Sequence, residues 1–340
     1  MKTIKVGING FGRIGRAFLK VAWDKPEIEV VAVNDLGNIE NLAYLLKYDT
    51  VYRTWNHDIS VKGDSLVIDG KSVKVLAQKD PSMLPWKDLD IDVVVESTGL
   101  FTSFEKSKVH LDAGAKKVVI SAPSKGDGTV AGETILLGVN EEKFGTCDIT
   151  SNASCTTNAA SPLIAILHEA IGVEKAVLNT VHGYTASQSL VDGTSKKDMR
   201  EGRAAAQNII PASTGAAIAV TKAFPELTGL FDGISVRVPV PAGSIVDITF
   251  ISKRATTVEE VNSILKKAAA DPHWSKIFAV TEEPIVSSDI LGSHYGSIAD
   301  LPMTRVVGGN LVKVMGWYDN EMGYTHTLIG HVIKTGNTIK

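Results

Sequence analysis

The chain has 340 residues, 44% of them hydrophobic and 21% charged, with a formal net charge of −3. That length suffices for two cored domains, and that charge offers no sequence-wide basic field for nucleic acid or an anionic membrane. Two cysteines, Cys147 and Cys155, are too sparse for a zinc site, and the eight histidines show no ligand spacing, so no metal is expected. With no leader-like segment and no apolar run near 18 residues, a soluble, reduced, cytoplasmic protein is expected.

Ile4-Lys5-Val6-Gly7-Ile8 reads as a buried strand running into Gly10-Phe11-Gly12-Arg13-Ile14-Gly15 and a helix to Trp23. This is G-x-G-x-x-G between a strand and a helix. Gly10 allows the tight turn, Gly12 lets a pyrophosphate approach the backbone, and Gly15 lets helix and strand pack closely. A second strand, residues 30–33, ends at Asn34-Asp35, with Asp35 lying 20 residues past Gly15. An acid there accepts hydrogen bonds from an adenosine ribose and repels a 2′-phosphate, so the expected cofactor is NAD.

A helix near residues 38–47 precedes hairpin signals at Gly63-Asp64 and Asp69-Gly70, read as an antiparallel insertion. The winding resumes with strand 93–96 ending at Ser97-Thr98-Gly99, a helix near 103–113, and strand 118–120 ending at Ser121-Ala122-Pro123. Small polar residues at such strand ends, here Thr98 and Ser121, sit where a doubly wound sheet binds its ligand, or are simply turn formers. A further strand is expected over residues 135–139.

Ala153-Ser154-Cys155-Thr156-Thr157-Asn158 then places a cysteine at the mouth of an apolar helix running from about 159 to 171. The helix N-terminus favours thiolate over thiol, which makes Cys155 a candidate nucleophile. After Gly172 longer strands and fewer crossover helices suggest a mixed α+β domain. His182 ends one of these strands, 27 residues past Cys155, where it could lower the thiol pKa and act as acid or base.

Residues 187–207 form a long irregular stretch carrying Lys196, Lys197, Arg200 and Arg203. Pro211-Ala212-Ser213-Thr214-Gly215 opens an alanine-rich helix with an anion-ready N-terminus. Arg237 is a lone charge in an apolar strand, and a phosphate would suit it. Thr257-Val258-Glu259-Glu260 is a capping box, and residues 311–317 form a strand before the final helix.

With these pieces in place, the chain resembles the phosphorylating glyceraldehyde-3-phosphate dehydrogenase family almost from end to end. The resemblance is carried by the Gly7–Arg16 run, the Cys155 stretch, Gln207-Asn208-Ile209-Ile210-Pro211-Ala212-Ser213-Thr214-Gly215 and Val307-Gly308-Gly309-Asn310. It implies an α/β fold: a Rossmann-type doubly wound domain over 1–153, completed by a C-terminal helix at 320–340, and an α+β catalytic domain with a mixed sheet over 154–319. It also implies oxidation of glyceraldehyde 3-phosphate with NAD and inorganic phosphate through a thiohemiacetal and a thioester on Cys155, with His182 as acid and base. By the same resemblance Thr185, Arg237 and Lys197 take the substrate phosphate, and Ser154, Thr156, Thr214 and Gly215 the inorganic phosphate. Asn320 and Tyr324 flank the nicotinamide. A homotetramer is implied, with no nucleic acid or membrane as primary partner. The alternative is the sister erythrose-4-phosphate dehydrogenase. Met322, Ile218 and Ser187 depart from residues common in the family.

Overall fold

The computed structural model describes residues 3–195 and 198–339. It divides into two compact units. One holds most of the chain up to Ala153 together with the segment from Leu328 onward; the other holds Leu136–Val139 and Ser154–Thr327.

The first unit is built on a nine-stranded sheet in the order Glu133–Thr134, Ile149–Ser151, Lys117–Ile120, Val93–Glu96, Ile4–Asn9, Ile28–Asn34, Lys71–Leu76, Ser65–Ile68, Ile59–Lys62. The strands up to Lys71–Leu76 pair parallel; the last two form antiparallel hairpins. Val93–Glu96 and Lys117–Ile120 are buried along their whole length, hence the apolar runs Val93-Val94-Val95 and Val118-Val119-Ile120 within them. Gly63 and Gly70 turn the hairpins with φ of 61° and 79°.

Residues 135–139 are not a strand. The pairing ends at Thr134, and Ile135, Leu136 and Leu137 lie buried ahead of a turn in which Gly138 adopts φ 73°. An apolar run reports burial; it does not say whether the backbone pairs.

A buried polar network underlies the ends of the central strands. The Glu96 carboxylate accepts from Asn9 Nδ2 at 2.6 Å and from the Thr98 N–H at 2.8 Å, and lies 3.0 Å from His110 Nε2. Trp86 Nε1 donates to His110 Nδ1 at 3.1 Å, which leaves the ring proton on Nε2, facing Glu96. The Trp86 indole also covers Gly7, where a Cβ would come within 2.8 Å of Cζ3. The carboxylate thus ties Thr98 to the Asn9 strand end.

The second unit carries a mixed sheet in the order Ile210–Ser213, Phe231–Val238, Val173–Gly183, Ser244–Ser252, Leu311–Tyr318, Ser297–Asp300, Phe278–Thr281. Val173–Gly183 runs parallel to Phe231–Val238 and antiparallel to Ser244–Ser252. The 17-residue helix Cys155–Ile171 starts four residues earlier than its apolar pattern suggests. Thr257 caps the helix Val258–Ala270 by accepting from the Glu260 N–H, but the Glu260 carboxylate turns to Arg254 and Thr256 and leaves the capping box half made. In the irregular stretch, Arg203 Nε donates to Asp192 and the Gly193 N–H to Gly202 O. Lys196 and Lys197 lie outside the described residues. No helix among the described residues is long and apolar enough to cross a membrane.

Replacing Trp86 by Phe keeps the packing on Gly7 but strips His110 Nδ1 of its donor. The expected result is a loss of about 1–3 kcal/mol of stability, read as a lower thermal midpoint, with the fold retained by circular dichroism.

Candidate active site

Ser154 caps the Cys155 helix: its Oγ accepts from the Thr157 N–H at 3.0 Å and lies 2.7 Å from Thr157 Oγ1. The residue before the cap, Ala153, is in the left-handed region with φ 55°. Cys155 is therefore the first residue of the helix. Its Sγ lies 3.4 Å from His182 Nε2, so the fold brings together two side chains 27 residues apart.

His182 owes its place to strand pairing. It stands opposite Arg237 on the parallel neighbour and opposite Ser244 on the antiparallel one. Its Nδ1 is 2.6 Å from its neighbour's carbonyl, Gly183 O, and also 2.6 Å from Arg237 Nη1. Burial, with the Arg237 charge added, drives the His182 pKa down to about 3. Burial also pushes the Cys155 thiol up, with the Arg237 charge and bonds to Thr156 pulling the other way. The helix terminus and the Arg237 charge favour the thiolate at Cys155, and burial opposes them.

Under the cysteine lies a tyrosine that sequence reasoning left without a role. Tyr318 Oη is 2.9 Å from Thr156 Oγ1 and 2.7 Å from Thr180 Oγ1. Thr180 donates to Ile245 O, so it accepts from Tyr318, whose oxygen in turn accepts from Thr156. Burial pushes the phenol pKa up, and it stays protonated. Strand alternation over Leu311–Tyr318 marks Tyr318 as an inward position, but no local signal names its partners.

The remaining expected anion ligands are half-committed. Thr185 Oγ1 meets Ser187 Oγ at 3.0 Å, and Thr214 Oγ1 accepts from the Ala216 N–H. Gly215 is exposed ahead of a helix of only six residues, too short for a strong dipole. Asn320 Oδ1 accepts from the Gly243 N–H and the Ser244 hydroxyl, which leaves its amide N–H groups as its donors. Tyr324 is buried.

In the first unit the glycine turn fits a dinucleotide. Gly10 has φ 95°, and a Cβ there would lie 2.7 Å from Ser97 C; one on Gly15 would lie 2.1 Å from Gly10 O. A Cβ on Gly12 would instead project into open space, filling the cradle where a pyrophosphate approaches, and no side chain caps the helix that starts at Arg13. Asp35 accepts from the Phe11 N–H at 2.8 Å and the Gly37 N–H at 2.9 Å, bracing the turn with lone pairs left for a ribose. Ile14 is half-buried. Arg13 donates to Asp49 at 2.7 Å, so its guanidinium is already engaged. The Ser121 N–H donates to Glu96 O at the adjoining strand end.

The family description "Glyceraldehyde 3-phosphate dehydrogenase, NAD binding domain" matches residues 4–104, and "Glyceraldehyde 3-phosphate dehydrogenase, C-terminal domain" matches residues 154–320. The chain is 48% identical over 329 residues to the glyceraldehyde-3-phosphate dehydrogenase of Geobacillus stearothermophilus, covering 96% of each chain. It is 45% identical over 340 residues to that of Streptomyces coelicolor, covering 99% of this chain and 100% of the relative. The chain belongs to the glyceraldehyde-3-phosphate dehydrogenase family. As a member of that family it is an NAD-dependent oxidoreductase with a Rossmann-type α/β domain.

Two expectations follow for this family member. Tyr318→Phe leaves the Thr156 hydroxyl without its acceptor and should cost about 1–3 kcal/mol of stability, measured by thermal unfolding. The second concerns acid. His182 and His331, both buried with pKa held to about 3, bind fewer protons folded than unfolded. Their contribution to stability is present above the unfolded histidine pKa of about 6.5 and is lost as pH falls toward 3. The thermal midpoint should already decline between about pH 6.5 and 5, above the range where carboxylates protonate.

Proposed function

We propose that this chain oxidises D-glyceraldehyde 3-phosphate to 1,3-bisphosphoglycerate with NAD and inorganic phosphate, with Cys155 as nucleophile and His182 as acid and base. The observation that carries the reading is the 3.4 Å approach of Cys155 Sγ to His182 Nε2 at a helix start. His182 takes the thiol proton, and the sulfur adds to the aldehyde carbonyl, giving a thiohemiacetal once the oxygen is protonated. NAD, when bound, supplies the hydride acceptor. His182 removes the hydroxyl proton as the carbon is oxidised, leaving a thioester on Cys155. Inorganic phosphate then attacks the acyl carbon, the C–S bond breaks, and acyl phosphate leaves with the thiolate restored.

Arg237 and Thr185, with Lys197, are assigned to the substrate phosphate. Ser154, Thr156, Thr214 and Gly215 are assigned to inorganic phosphate, and Asn320 and Tyr324 to the nicotinamide. Support for Arg237 is its buried Nε, which has no hydrogen-bond partner among the described residues. Two free thiols suit a cytoplasmic location. We further propose that copies of this chain assemble as a homotetramer. Val177 and Ile234, on neighbouring strands and one face of the second unit's sheet but offset by two positions in register, are 63% and 55% exposed, an apolar surface that a second copy would cover.

The direct test is absorbance of NADH formed from glyceraldehyde 3-phosphate. Sustained turnover should require phosphate, while its omission leaves at most a burst matching the Cys155 concentration. Turnover independent of phosphate sinks the proposal. NADP should be used at least about tenfold less efficiently than NAD, because the Asp35 carboxylate repels a 2′-phosphate, and Asp35→Gly should narrow the gap in kcat/KM. Light scattering on the eluting enzyme reads the assembly directly.

A further inference from the structure

The hydrogen bonds around Glu96 run in directions fixed by two groups at the far ends of its network. At one end stands the Gln78 backbone, whose N–H donates to Asn34 Oδ1 at 2.8 Å and whose carbonyl accepts from Asn34 Nδ2 at 3.0 Å. Neither backbone group can reverse its role, so the Asn34 amide has one orientation. Asn34 Nδ2 also donates to Asn9 Oδ1 at 2.7 Å, which turns the Asn9 donor toward Glu96 Oε2, 2.6 Å away. At the other end stands Trp86. Its indole N–H can only donate, so His110 Nδ1 accepts and the Nε2 proton faces the same carboxylate oxygen. The second oxygen, Oε1, takes the N–H and the hydroxyl of Thr98. Four donors converge on position 96, and only the hydroxyl could turn acceptor.

This network lies between the segments expected to hold the cofactor. The Gly10 N–H donates to Asn34 O, Ser97 Oγ donates to Gly10 O at 2.8 Å, and Asp35 directly follows Asn34. Asn9, Asn34, Glu96 and His110 are buried, so water does not stand in for a lost partner.

We propose that Glu96 is a positioning residue for the cofactor. A side chain with two acceptor oxygens and no donor satisfies all four bonds, and it holds the glycine turn, Asp35 and Thr98 where the ADP half of NAD meets them. The proposal rests on the reading of those three segments as cofactor contacts, and it gives Glu96 no part in the reaction at Cys155. It also states which changes compensate. Glu96→Gln sets an amide donor against either the Asn9 amide or the Thr98 N–H. Asn9→Asp sets two carboxylates together where 2.6 Å now separates donor from acceptor. In the double variant the carboxylate and the amide exchange places. The carboxylate at position 9 then accepts from Asn34 and from the amide at position 96, whose oxygen keeps Thr98. His110 Nε2, now 3.5 Å from Asn9 Nδ2, is left the position-9 carboxylate as its acceptor.

The test reads ADP-ribose binding to the purified full-length enzyme by calorimetry, with steady-state kinetics alongside. ADP-ribose is NAD without its nicotinamide. Glu96→Gln should weaken it about tenfold, the worth of one hydrogen bond to a charged group. KM for NAD should rise by the same factor, with kcat and KM for the aldehyde unchanged. Asn9→Asp should weaken ADP-ribose at least as much. The double variant should bind more tightly than either single one, whereas two independent lesions would multiply to about a hundredfold. Full affinity in Glu96→Gln, or a double variant no better than the worse single one, overturns the proposal. Asp35→Gly separates the two readings. If it weakens ADP-ribose and Glu96→Gln does not, the cofactor contacts stand and the positioning role fails; if neither does, both fail. Should a variant not fold, hydrogen exchange on the unaltered enzyme decides. The Thr98 amide should be protected before any nucleotide is added, and protection that arises only with ADP-ribose defeats the proposal.

Discussion

The register between Val173–Gly183 and Phe231–Val238 sets the chemistry of the catalytic unit. Parallel pairing puts His182 opposite Arg237, and antiparallel pairing with Ser244–Ser252 puts it opposite Ser244. A slip of one residue would turn His182 to the other face of the sheet and away from Cys155. The sheet therefore acts as a jig. It delivers an imidazole to a helix start from one side and a guanidinium to that imidazole from the other.

What the jig assembles is electrostatically cautious. Burial raises the thiol pKa and lowers that of the histidine, while the Arg237 charge and the helix terminus pull the thiol the other way. Tyr318, bonded on both sides by threonine hydroxyls, fixes the first turn of the helix without itself titrating.

The nucleotide unit solves a similar problem by the opposite means. Its Glu96 is buried, yet it is surrounded by donors from Asn9, Thr98 and His110. A buried carboxylate is tolerable when its lone pairs are filled, and the filled network then rigidifies what it touches. Here that is the strand end carrying Thr98 and, through Asn9 and Asn34, the neighbouring strand end leading to Asp35. Catalysis asks for groups that change partners, whereas cofactor binding asks for groups that do not.

The sequence by itself determined the features governed by neighbours within a few positions. The glycine turn, the run of buried parallel strands, the hairpin glycines and the cysteine at a helix mouth all follow from local sterics, capping and apolar pattern. It misread residues 135–139, because a run of apolar side chains looks the same whether the backbone pairs or turns, and it gave Glu260 to Thr257 when Arg254 and Thr256 hold it. Only the tertiary structure decided the approach of Cys155 to His182, that of Arg237 to Nδ1, and the place of Tyr318. Those depend on partners 27, 55 and 162 residues apart in the chain. Desolvation and hydrogen bonding act through a few ångströms of space, and spacing along the chain does not encode which distant groups will share it.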